Sequence, residues 1–333
     1  MEKQKYAIVF AGQGAQKPGM GKSLYESSAA ARAVMDEAGD AIKHDCFEAD
    51  AERLRQTEVT QPAVYTMDMA AYAALREALR IGEEDGLSEP AALAGFSLGE
   101  YAAFTAAGVI QNLSTGLEIV KQRSLMMKEA STNPDGSQRG TMAAGMGDQA
   151  AVLALVEKAR GEDILEAVNF NSPQQTVVAG DFSAVERFAA LAAEDRSLGV
   201  KAIPLSVSGA FHSPLMLPAS GGLAAVVAEY SFGEPTLPIY LNATGDIYEN
   251  FTNPKFPSPD ASLKARGNMV LQIYSPVQWQ KIIEAMVASG ITTIIEVGPG
   301  KTLTGLTKKI APEITALHVE DAETLAETVA SLN

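Results

Sequence analysis

A chain of 333 residues is long enough to bury a large core in one big domain or two, and 47% hydrophobic with 20% charged residues is an ordinary globular composition. A net charge of −15 with no Lys/Arg-rich block argues against a nucleic-acid binder, so any anionic substrate must be met by locally placed cations. One cysteine, Cys46, excludes an intrachain disulfide framework and a multi-cysteine metal site, and no apolar run approaches the ~20 residues that cross a bilayer; a cytoplasmic protein is expected.

In chain order, YAIVF (6–10) is too brief for a signal sequence and reads as a first buried strand. It runs into FAGQGAQKPGMG, which fails as a dinucleotide fingerprint because position 17 is lysine. AVYTMDMAAYAALREALR predicts a helix with Thr60 near its start and Pro62 in its first turn. A second strand (91–95) ends in Gly95-Phe96-Ser97-Leu98-Gly99, followed at once by an Ala-rich helical segment. Glycines flanking one serine at a strand–helix junction are the pattern of a nucleophile elbow, which exposes the hydroxyl and points the next amide, here Leu98, at a bound carbonyl oxygen. A plain Gly-rich turn is the alternative. Gly12-Gln13-Gly14 could supply the second oxyanion amide from Gln13, or be only a turn.

STGLEIVKQRSLMMKEA predicts a helix capped by Ser114, with Arg123 at the centre of an apolar arc formed by Ile119, Val120, Met126, Met127 and Ala130. A buried guanidinium needs an anion, either an internal carboxylate or one on a substrate. After a linker at 131–140, strand, helix, two strands, helix and strand follow through residue 207, the β-α-β-β-α-β order of a ferredoxin-like motif. The expected organisation is therefore a three-layer α/β core of residues 1–134 and 207–333 with residues 135–206 inserted as a smaller subdomain. Pro- and Asn-rich 250–268 reads as a surface loop, and ITTIIEV (291–297) as another buried strand. GPGKT at 298–302 fails as a phosphate loop, since the glycine it needs earlier is Ile295.

Ser97 requires a base, and the chain has three histidines. His44 lies in a polar helical stretch and His318 on a late alternating strand. His212, in the loop SVSGAFHSPLM, is the favoured general base, with His318 as its competitor.

With GQG, GFSLGEYAA, Gln122-Arg123, NFNSPQQTVVAG, GAFHSPLM, QIYSPVQW and EVGPGKTLTGL in this order, the chain resembles malonyl-CoA:acyl carrier protein transacylases from about Tyr6 to about Lys309. The resemblance implies an α/β-hydrolase-like large domain carrying an inserted ferredoxin-like small subdomain. It places the nucleophile on Ser97, the base on His212, the carboxylate-binding arginine on Arg123 and the oxyanion amides on Gln13 and Leu98. Gln272 matches the residue whose backbone carbonyl orients the histidine, and Phe211 the form that selects malonyl over methylmalonyl. Three positions depart from the family pattern: Phe96 for histidine, Ala11 for proline and Gln174 for glycine.

The implied reaction is ping-pong transfer of malonyl from malonyl-CoA to the phosphopantetheine thiol of an acyl carrier protein, with no metal and no permanently bound cofactor. The carrier could serve fatty-acid or polyketide synthesis. The alternatives are a serine thioesterase or acyl hydrolase using the same Ser-His pair, and a non-catalytic module that docks carrier proteins.

Overall fold

The protein is described by a computed structural model covering residues 5–252 and 260–332. Its strands are β1 (Tyr6–Phe10), β2 (Ala92–Gly95), β3 (Thr141–Met146), β4 (Leu165–Ser172), β5 (Gln175–Gly180), β6 (Lys201–Pro204), β7 (Ile239–Tyr240), β8 (Thr293–Val297) and β9 (Thr315–Val319). They form two sheets, a parallel one in the order β7-β2-β1-β8-β9 and an antiparallel one in the order β4-β5-β3-β6.

The central strands of the parallel sheet are buried on both faces, which is why β1 and β8 are near-continuous apolar runs rather than alternating ones. In β1, Tyr6, Ile8 and Phe10 enter one core with helix Thr57–Leu79. Ala7 and Val9 enter the opposite core, with Trp279, Ile282 and Leu303 from helices Trp279–Ala288 and Thr302–Ile310. Side chains that alternate along each strand thus divide a three-layer α/β unit. The carboxyl ends of β1, β2 and β8 run into Gly12, Ser97 and Gly298, the edge where open α/β sheets place their ligands.

The antiparallel sheet packs Ala143, Leu165 and Val178 against helices Gln149–Arg160 and Phe182–Glu194. Its other face adds Met142, Val168 and Val177 to the main core. The two ends of this segment are laced together where Gln138 Nε2 donates to Gly140 O (2.9 Å) and Val207 O (3.1 Å). Farther along, Phe170 N donates to Val277 O (2.9 Å) and Val277 N to Val168 O (2.8 Å), tying β4 to the chain just past Gln272.

Three local expectations change. The long helix begins at Thr57, so Pro62 lies beyond its first turn. Helix Leu113–Ala130 is capped by Asn112, which accepts from Thr115 N (2.8 Å), while Ser114 donates to Glu37 (3.0 Å). Within 250–268, residues 253–259 lie outside the described residues, and Ala261 opens a helix running to Gln272 with Asp260 as its cap. The Pro and Asn turn signals upstream had masked that helical stretch.

One buried acid stands apart. Asp68, on helix Thr57–Leu79, is fully buried, and neither carboxyl oxygen closes a hydrogen bond among the described residues. It lies under Gly298 (φ 121°), where a Cβ would fall 2.0 Å from its Oδ1, and the adjacent Ala11 amide donates to Val297 O (3.2 Å). Burial, then the neighbouring Glu296, holds Asp68 well above the usual carboxylate range. The unfolded chain gives up this proton near pH 3.8 while the folded chain keeps it, so native stability falls as pH rises above that point. Asp68→Asn removes the titration. The melting-temperature difference, variant minus native, is expected to grow between about pH 4 and about pH 8. A difference independent of pH would contradict the assignment.

Candidate active site

Between β2 and helix Gly99–Ala106 the chain reverses so sharply that Ser97 adopts φ 52°. A Cβ on Gly95 would lie 1.9 Å from the Gly99 carbonyl carbon, and one on Gly99 would lie 2.3 Å from Phe10 O. Only glycine fits either place. A left-handed non-glycine residue costs on the order of 1–3 kcal/mol and persists only where its surroundings hold it. Here Ser97 N donates to Asn242 Oδ1 (2.6 Å), and Ser97 O accepts from Gln272 Nε2 (2.7 Å).

His212 meets the serine from across the site, its Nε2 lying 2.7 Å from Ser97 Oγ. It too is left-handed (φ 62°) and buried. Its Nδ1 lies 3.0 Å from Gln272 O and 3.1 Å from Ser275 O. Carbonyl oxygens only accept, so Nδ1 carries the proton and Nε2 is left to accept from the serine hydroxyl. Two backbone carbonyls thus do the orienting that a carboxylate does in a Ser-His-Asp triad. Burial, then the Arg123 charge, lowers His212 to about 4, so the ring is neutral and able to take a proton near neutral pH.

Arg123 is 1% exposed, at the centre of the buried face of its helix. Nη1 donates to Gln61 Oε1 (2.6 Å), and Nη2 to Gln272 Oε1 (3.3 Å) and Ser97 Oγ (3.4 Å). The guanidinium lies 5.2 Å from the Tyr101 ring centroid, and Nε has no partner among the described residues. No salt bridge of the described residues includes Arg123, so the internal-carboxylate alternative is not what the structure contains. Burial lowers its proton affinity, partly offset by Tyr101 and Glu100.

A cavity of about 140 Å³ opens onto Ser97 and His212. Phe96, Met127, Phe211, Met142, Val177 and Leu205 are its apolar lining, with Gln13 and Asn169 among its polar lining. Arg123 is not a lining residue and meets the site through Ser97 Oγ (3.4 Å). Phe96 packs edge-on against Trp279 (5.4 Å between centroids), so the ring replacing the expected histidine belongs to the wall. Among the described residues, neither the Gln13 nor the Leu98 amide donates to a protein acceptor, whereas the following amides, Gly99 N and Glu100 N, do. Both sit at the carboxyl edge that carries Ser97.

The other candidates go elsewhere. His44 is exposed on helix Asp40–Phe47, and His318 sits on the outermost strand, 3.9 Å from Glu320. At GPGKT the helix amides of Leu303 and Thr304 donate to buried Glu296 (3.0 and 2.7 Å), filling the place a phosphate would take. Cys46 is buried, its thiol pushed up to about 12.

Sequence reasoning missed Gln61, which joins Arg123 to Gln13 by donating to Gln13 Oε1 (3.2 Å). It also missed Asn242, Glu100 and Asn268. An acid inside the otherwise apolar GEYAAFTA was the available signal for Glu100; Asn242, in an irregular segment, offered none.

The family model described as the acyl transferase domain matches residues 7–327. The chain is 38% identical over 328 residues to the malonyl CoA-acyl carrier protein transacylase of Escherichia coli (strain K12), covering 97% of this chain and 98% of that one. Among solved structures it is similar to a malonyl-CoA:acyl carrier protein transacylase from Xanthomonas oryzae pv. oryzae, with TM-score 0.86, 34% identity and 99% of each chain covered. It is also similar to a malonyl-transacylase solved in complex with its type II PKS acyl-carrier protein, with TM-score 0.86, 32% identity, and 98% of this chain and 100% of that one covered.

The depressed His212 value sets a pH dependence. Reaction of Ser97 with a serine-directed fluorophosphonate should keep its rate below pH 6.5 and fall only toward about pH 4, as the ring gains a proton. Arg123→Leu should move that midpoint upward by removing a neighbouring positive charge. A native midpoint at or above the ordinary histidine value of 6.5 would contradict this reading of the site.

Proposed function

The chain belongs to the malonyl-CoA:acyl carrier protein transacylase family of acyl transferases, and we propose that it moves malonyl from coenzyme A to a carrier thiol by a two-step exchange on Ser97. The observation that carries the reading is the Ser97–His212 pair (2.7 Å) beside a buried Arg123 that has no carboxylate partner among the described residues.

In the first step Ser97 Oγ attacks the thioester carbonyl while its proton passes to His212 Nε2. The Gln13 and Leu98 amides hold the oxyanion. The tetrahedral intermediate expels the coenzyme A sulfur, which takes the proton from His212 and leaves malonyl-Ser97. In the second step the phosphopantetheine thiol of the acyl carrier protein gives its proton to His212 and attacks the ester carbonyl. Ser97 leaves and recovers the proton. The partners' thiols supply the group-carrying chemistry, and no further cofactor takes part.

The malonyl carboxylate pairs with Arg123 by replacing its contacts to Ser97 Oγ and Gln272 Oε1, which are the longer ones at 3.4 and 3.3 Å. Because the Arg123 charge helps to depress His212, a carboxylate seated there also makes the histidine a stronger base. Phe211, 7% exposed and lining the cavity, is read as the residue that crowds a branch on the acyl group and so favours malonyl over methylmalonyl. A hydrolase for neutral acyl chains would have no use for the buried guanidinium.

The core formed by 1–134 and 207–333 is read as α/β-hydrolase-like. Residues 135–206 are read as an inserted ferredoxin-like subdomain, a reading supported by the strand order β4-β5-β3-β6 with two helices on one face. A reducing cytoplasm suits the single buried Cys46.

Malonyl-CoA alone should label Ser97 as an ester seen by intact mass, and Ser97→Ala should take no label. A label on another serine or on Cys46 would contradict the mechanism. Arg123→Ala should lower the malonyl-to-acetyl ratio of kcat/KM by roughly 30-fold or more, the range for truncating one member of a desolvated charge pair. A large fall in melting temperature with that ratio unchanged would make Arg123 a structural residue instead.

A further inference from the structure

Both peptide groups of Ser97 are held by side chains, the carbonyl also by Glu100 N (3.2 Å), and the amide side leads into a buried polar chain. Asn242 is fully buried just past β7, which pairs parallel with β2 and so brings it beside Gly95. Its side chain acts as a fork: Oδ1 accepts from Ser97 N (2.6 Å), and Nδ2 donates to Gly95 O (2.6 Å). One amide group therefore spans the elbow from the last residue of the strand to the nucleophile. The Asn242 backbone is fixed in turn, its N–H donating to Glu100 Oε2 (2.6 Å). Glu100 Oε1 accepts from Asn268 Nδ2 (2.6 Å), and these two residues are also buried. Asn268 lies one turn before Gln272 on helix Ala261–Gln272, so the helix that holds the Ser97 carbonyl and the His212 ring also anchors this chain.

We propose that Asn242, seated by Glu100 and Asn268, is the positioning residue that holds Ser97 in its left-handed conformation and so aims Oγ at His212. The fork is well placed for this. The strained φ lies between the Asn242 bond to the Ser97 amide and the Gln272 bond to the Ser97 carbonyl, and relaxing Ser97 toward an ordinary conformation would break at least one. Asn242 is not among the residues lining the cavity and is held away from the acyl group by its own bonds, so it acts through Ser97 rather than on substrate. The inference rests on Ser97 being the nucleophile.

The test measures kcat and KM for malonyl transfer in Asn242→Ala, Asn268→Ala and Ser97→Ala, with melting temperatures. Asn242→Ala should lower kcat by about 10²-fold, the cost of a misplacement near 1 Å, with KM for malonyl-CoA within about 3-fold of native. Asn268→Ala keeps both arms of the fork and should give a smaller loss, about 3- to 10-fold, again in kcat alone. A folded Asn242→Ala with native kcat, or one whose loss falls in KM, would overturn the proposal. If Asn242→Ala does not fold, native kcat in Asn268→Ala overturns it and a kcat-only loss supports it. Ser97→Ala separates the two readings. Transfer surviving in that variant would remove the nucleophile assignment itself, whereas an inactive Ser97→Ala beside a fully active Asn242→Ala would remove only the positioning role.

Discussion

The site is organised around a full positive charge buried without a carboxylate of the described residues in contact. Arg123 is held by the amide oxygens of Gln61 and Gln272 and faces Tyr101, partners that orient a guanidinium without neutralising it. Desolvating an unpaired cation is costly, and a protein optimised for stability alone would pair or replace it. Its influence spreads from there. The charge helps to keep His212 neutral, Nη2 reaches Ser97, and Gln61 extends the contact to Gln13. Uncompensated charge in contact with the nucleophile of a small cavity is an arrangement suited to an acyl group that carries its own carboxylate.

The second requirement is backbone strain, and it is met from distant parts of the chain. Ser97 and His212 are both left-handed, and neither is glycine. Ser97 is held by residues 145 and 175 positions away, His212 by residues 60 and 63 positions away. Sheet order makes this possible: β7 beside β2 delivers Asn242, and the bridge from β4 to Val277 sits just past the segment that supplies Gln272 O and Ser275 O. The antiparallel sheet also lines the cavity through Met142 and Val177. Positioning, charge and enclosure therefore come from three parts of the fold that meet only in the folded state.

Much of this was legible in the sequence because it is local. The elbow glycines flank Ser97 directly, and Arg123 interrupts an apolar helical face. The buried strands are short apolar runs ending in glycine. What was not legible depends on contacts distant in sequence. Gln61 looks like one more polar residue in a long helix until Arg123 is placed against it, and Asn242 sits in an irregular stretch whose neighbours no periodicity reveals. At the helix 113–130 start, Ser114 and Asn112 were equally good caps by residue type, and only backbone geometry separates them. Helix 261–272 was hidden because turn-forming residues immediately before it made the whole stretch read as loop.

The most direct test of the central claim is the structure of the malonyl-Ser97 intermediate, trapped without carrier protein. The expected result is a malonyl carboxylate within hydrogen-bond distance of both Arg123 Nη atoms, with Gln272 Oε1 no longer the partner of Nη2. A malonyl group whose carboxylate points to solvent, with Arg123 still bonded to Gln61 and Gln272 as it is in the free protein, would contradict the claim that the substrate supplies the missing counter-ion.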